Sequence, residues 1–199
     1  MKKALLSCVL TAALFTACSQ DNTEDDRLVC VDITPICFYI EVSDPAGNDL
    51  LDESRPDNLL DAITVSYDET DYTVQERLYY YGDDGLESRS TRTYIPTFIG
   101  LWSQLSWNYA TNTAGNYQVV FGEFAGEESV AHREITLHIG SHEATLAYSN
   151  SCKWTAGDFP DIDRHFYLNG QELTDRPANL GLYAFTYTPT DGLQLQTAH

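Results

Sequence analysis

An all-β fold, an antiparallel β-sandwich of about 8–10 strands, is what this 199-residue sequence predicts. From Ile36 onward, short runs alternate apolar and polar residues, and Gly, Pro, Asn and Asp break them at close intervals. No stretch carries the i, i+3, i+4, i+7 apolar spacing of a long amphipathic helix. A period of two turns one side of each run toward a core and the other away from it, which is what two sheets packed face to face require.

The first element precedes the fold. Met1-Lys2-Lys3 gives a positive start, Ala4 to Ala17 is a short apolar run, and Cys18 follows a small residue directly. Residues 1–17 therefore read as a secretory signal peptide, too short to span a bilayer. A thiol in that place can carry lipid, and several acyl chains hold a protein at a membrane where one binds only marginally. Residues 18–27 follow as an acidic tether, with SQDNTEDD from Ser19 to Asp26 lacking any apolar periodicity. Residues 28–199 are long enough for one domain with its own core.

Within that domain Ile36, Phe38, Ile40 and Val42 share one face of the first strand. Ile63, Val65 and Tyr67 repeat the pattern, as do Tyr72, Val74, Leu78 and Tyr80. Further strands are expected over Thr93 to Ile99, Leu101 to Tyr109, Tyr117 to Phe124, Arg133 to Ile139, Glu143 to Tyr148, His165 to Leu168 and Leu182 to Tyr187. Pro56 to Leu60 suggests a helical turn inside a loop. The sharpest local signal is Gly140-Ser141, where Gly at the first central position suits a type II′ hairpin. That turn opposes Ile139 to His142, Leu137 to Ala144 and Ile135 to Leu146, an apolar face, and pairs His138 with Glu143 on the other.

Phe15-Thr16-Ala17-Cys18 resembles the lipobox of bacterial lipoprotein precursors, with Phe15 in place of the usual leucine. The resemblance implies lipidation of Cys18, with palmitate among its acyl chains, and the acidic segment after it is similar to that of surface-exported lipoproteins of Bacteroides-type bacteria. ICFYIEVSDPAGNDLLD from Ile36 to Asp52, then AITVSY and YTVQERLYYY, resembles the opening of immunoglobulin-like or transthyretin-like sandwich modules. With Phe121-Gly122-Glu123-Phe124 and Phe166-Tyr167-Leu168-Asn169-Gly170, the chain resembles small surface lipoproteins of that bacterial group. The implied location is the cell envelope, on an outer membrane facing outward.

Charge narrows the partners. The formal net charge is −19, and losing Lys2 and Lys3 with the signal makes it more negative. Nucleic acid is excluded for want of a basic footprint, and adsorption to anionic head groups is disfavoured, leaving the lipid anchor as the membrane contact. Lys153 is the one lysine after the signal, which suits a protease-rich exterior or simply follows from the acidic composition. Cys30, Cys37 and Cys152 remain once Cys8 and Cys18 are assigned, and an oxidising compartment favours one bridge of unspecified pairing.

Candidate sites are few. Asp44, Asn48, Asp49 and Asp52 supply hard oxygen donors that suit calcium, or else serve a turn-rich connection. Asp158, Asp161 and Asp163 pose the same choice. His132, His138 and His142 do not make a metal centre, because hairpin register turns His138 and His142 to opposite faces. Catalytic motifs are missing: there is no GxSxG elbow and no phosphate loop with its lysine. Tyr79, Tyr81 and Trp102 fall on the amide-bearing outward side of their strands, where aromatics stack on sugar rings or anchor a protein, unless another layer covers them. The expectation is a non-enzymatic, cofactor-free binding, adhesion or accessory module that meets a glycan or envelope protein. A structural or assembly component is second, and a glycan-active enzyme third.

Overall fold

The computed structural model describes residues 33–76, 98, 100–108, 113–154, 160–174 and 181–196. They form two six-stranded sheets packed as a sandwich. The strands are β1 Ile36–Ser43, β2 Ile63–Tyr67, β3 Thr70–Thr73, β4 Gln75–Glu76, β5 Gly100–Asn108, β6 Thr113–Phe124, β7 Val130–Ile139, β8 His142–Trp154, β9 Pro160–Leu168, β10 Gln171–Glu172, β11 Gly181–Thr188 and β12 Gly192–Leu195. One sheet has the order β12-β11-β1-β6-β5-β4 and the other β10-β9-β8-β7-β2-β3. All described residues lie within one unit, Val31–His199. No helix among them is long and apolar enough to cross a membrane.

The alternation read from the sequence selects the core. Ile36, Phe38, Ile40 and Val42 are buried, as are Ile63 and Val65, and Tyr67 packs against them. The Gly140-Ser141 hairpin has the expected register, with Ile139 opposite His142, Leu137 opposite Ala144 and Ile135 opposite Leu146. Gly140 takes φ +60°, the left-handed value that a II′ turn demands at its first central residue.

Elsewhere the boundaries differ. The run from Tyr72 to Tyr80, expected as one strand, changes sheets at Val74, since β3 pairs with β2 while β4 runs parallel to β5. Its later residues, Leu78, Tyr79, Tyr80 and Tyr81, lie outside the described residues, and of Thr93 to Ile99 only Phe98 is described. The helical turn sits later than expected, as a short 3₁₀ turn at Leu60–Ala62. β10 and β12 carry too few residues to show a period. β1 ends up central, parallel to β11 on one side and antiparallel to β6 on the other.

The core is aromatic. Phe38 meets the rings of Phe124, Tyr148, Phe166 and Tyr183 at centroid distances of 5.9–6.3 Å. The buried Tyr183 hydroxyl, on β11, reaches across the layers to the carbonyls of Ala147 at 3.3 Å and Tyr167 at 3.0 Å. A buried phenol needs such a partner, and here the partner also ties one sheet to the other. β6 bulges at Gly122-Glu123 opposite Ile36/Cys37, and Gly122 takes φ +135°. A Cβ there would stand 2.9 Å from the Ile36 carbonyl oxygen, so both the dihedral and the contact favour glycine.

One end of the sandwich is closed by a buried charge. Arg164 on β9 is 5% exposed, and its Nε donates to Asn150 Oδ1 at 2.8 Å. Its NH2 group donates to the carbonyls of Thr34 at 2.8 Å and Gly126 at 3.3 Å. Asn150 in turn donates to the Gly126 and Glu128 carbonyls. No carboxylate neutralises Arg164 among the described residues, and desolvation pulls its pKa below the usual arginine value.

Candidate functional site

The sheet of β7, β8 and β9 turns its polar side outward, and there a depression of about 420 Å³ opens. A bulge causes it. Val130 opposes Asn150 and Arg133 opposes Tyr148, so β7 holds one residue more than β8 over this stretch and bends away. Ser149, Ser151, Asp163 and His165 line the depression together with Val130 and Ala131. Ser149 and His165 are directly opposed across β8 and β9, as are Ser151 and Asp163.

His165 is the electrostatic centre of this face. Its Nδ1 lies 2.6 Å from Glu172 Oε1 and its Nε2 lies 3.0 Å from Asp163 Oδ1. The hydrogen bond to Glu172, then that to Asp163, raises its pKa above the usual 6.5. Both ring nitrogens of His165 face carboxylates, and the Ser149 hydroxyl meets the Tyr167 hydroxyl at 3.3 Å. The arrangement can donate and accept hydrogen bonds. Sequence reading did not single out His165. Its signal was available in the spacing of Asp163 and His165 along one strand, with Glu172 returning beyond a tight turn.

The other histidines disperse as hairpin register requires. His132 meets Glu134 at 2.8 Å, His138 lies 3.9 Å from Glu143 across the hairpin, and His142 meets the Pro189 carbonyl at 3.1 Å. The acidic loop spends its oxygens on backbone and side-chain donors. Asp44 accepts from the backbone of Ala46 and Asn48 and from the Asn48 side chain, and these bonds, the side-chain one first, hold its carboxyl below the usual range. Asp49 accepts from the Leu51 and Tyr117 backbone, and Asp52 from that of Ser54. These carboxylates stabilise turns and face different partners, and no group of three His, Cys, Asp or Glu among the described residues is placed to hold a metal ion. Asp161 and Asp163, expected in a loop, stand on β9, and Asp158 lies outside the described residues.

Trp102 corrects its expectation. Its strand parity is as read, opposite to the core residue Leu101, yet it is only 2% exposed and packs with Cys37 and Val120 in a second apolar cluster, against which Tyr39 lies. The outward side of this sheet is itself apolar at Tyr39, Val120 and Trp102, so outward does not mean wet. Tyr79 and Tyr81, its intended companions, lie outside the described residues, as do Cys18 and Cys30. Cys37 on β1 and Cys152 on β8 are not bonded to each other.

Comparison with protein-family models, with curated proteins and with solved structures finds no match for this chain.

Proposed function

We infer that this chain is a lipid-anchored protein of the cell envelope, displayed outward on a tether, whose sandwich is a non-enzymatic binding or accessory module. Support for the anchor is the run from Lys2 through Ala17 into Cys18 and the acidic segment after it. The observation that carries the binding role is the open, hydroxyl-floored depression over Ser149 and Ser151, whose histidine is locked between two carboxylates. Such a surface suits a hydrogen-bonding partner.

Two arms test this. Wild-type chain is expected in the membrane fraction with an acylated Cys18 by mass spectrometry, and Cys18→Ala is expected in the soluble fraction; an unlipidated wild-type N-terminus refutes the anchor. Ser149→Arg and Ser151→Arg should each abolish binding to intact cells or envelope glycans while leaving the melting temperature near wild type. Unchanged binding refutes the assignment of this face.

A further inference from the structure

The outward side of the other sheet holds two polar side chains that the described structure leaves without partners. Ile40 pairs with Val119, and both point into the core, so the next antiparallel step sets Glu41 of β1 beside Gln118 of β6 on the outward side. Gln118 is only 6% exposed, and its amide makes no hydrogen bond among the described residues. The half-buried Glu41 carboxyl makes none either. Burial first, and the nearby Asp49 carboxylate second, push its pKa above the usual glutamate value. Gln104 lies on the far side of Gln118, accepting from Trp102 Nε1 at 3.2 Å.

A buried amide without a partner is costly, and buried groups of this kind in native proteins are rarely unpaired. The chemistry of the pair restricts what can satisfy it. Glu41 accepts only, when ionised, whereas Gln118 offers an acceptor oxygen and two donor hydrogens. A cation would suit Glu41 but leave the Gln118 NH₂ unused, and an anion would be repelled by both Glu41 and Asp49. A neutral group with adjacent donors and acceptors fits both: the vicinal hydroxyls of a sugar. Tyr39 stands in the next row of β1, packed against the Cys37, Trp102 and Val120 cluster.

We propose that Glu41 and Gln118 form a carbohydrate-binding subsite that takes a pair of vicinal hydroxyls, entering from the more exposed Glu41 side. This rests on the binding-module reading but lies on the opposite sheet from the His165 depression.

The test uses the full chain in detergent with D-mannose, D-galactose and N-acetyl-D-glucosamine as probes. Ligand-observed saturation-transfer NMR supplies the readout, because sugars stabilise any protein weakly by exclusion from its surface. At least one probe is expected to receive saturation from wild type, with binding at least tenfold weaker in Gln118→Leu and in Glu41→Gln. Gln118→Leu should melt at or above the wild-type temperature, since it removes an unpaired amide. Glu41→Gln keeps the shape of a less buried residue and preserves the test if Gln118→Leu folds poorly. No transfer to any probe, with Gln118→Leu more stable, would mean that a water satisfies the amide and would overturn the proposal. Transfer that survives both substitutions would overturn this subsite while leaving the binding-module reading intact, and loss of that transfer in Ser149→Arg would place the sugar on the other face.

Discussion

Replacing Arg164 with methionine separates two opposing effects at the closed end of the sandwich. The guanidinium is buried and makes three hydrogen bonds to neutral oxygens, of Asn150, Thr34 and Gly126. Methionine fills much of the same apolar volume but leaves Asn150 Oδ1 and the Thr34 carbonyl without donors, while the Gly126 carbonyl keeps its bond from Asn150. The orphaned Asn150 oxygen is buried and costs about 1–3 kcal/mol, and the part-buried Thr34 carbonyl adds less. Against this stands the desolvation of the cation, several kcal/mol, which methionine relieves. The groups left behind are neutral and one is part-buried, so the loss should be about 1–3 kcal/mol. For a chain of this size that corresponds to a fall of roughly 2–12 °C in melting temperature. Urea unfolding of the full chain, followed by far-ultraviolet circular dichroism, should show a lower midpoint at unchanged slope. Because Asn150 is the shared partner, adding Asn150→Ala should cost less than the sum of the two single changes. A midpoint for Arg164→Met equal to or above wild type would refute the reasoning, because the bonds would then return less than burial of the charge costs.

Three further outcomes follow from the geometry. Trp102→Ala should lower stability by about 3–5 kcal/mol in the same urea assay, as large-to-small changes at buried aromatics do, where an exposed tryptophan would cost little. Gly122→Ala should destabilise by about 1–3 kcal/mol, because a Cβ at φ +135° meets the Ile36 carbonyl oxygen, and a neutral effect on the melting temperature would contradict the tight bulge. His165 should titrate above 6.5 by NMR, and Glu172→Gln, removing the largest cause, should bring it down. Since the folded value is raised, the stability that His165 contributes is complete below its unfolded value near 6.5 and fades as pH rises through the folded one, so the Glu172→Gln penalty should shrink at alkaline pH.

Much of this architecture was legible in the chain because β-structure writes a period of two into the sequence. Phe38 and Ile40 are buried, and the His138 to Glu143 pair sits where the Gly140-Ser141 turn places it. The sheet switch at Val74 was not legible, since both sheets accept the same alternation. Nor was the burial of Trp102, because parity assigns a side chain to a face without saying what lies against that face.

The sequence by itself determined the class of fold, the register of its best hairpin and the composition of its core, all of which depend on residues close along the chain. Tertiary structure alone decided which polar groups meet across the fold: Arg164 with the Thr34 carbonyl, and the Asp49 carboxylate with the Tyr117 backbone. Strand order brings these together, and such contacts are fixed by long-range pairing that local alternation does not encode.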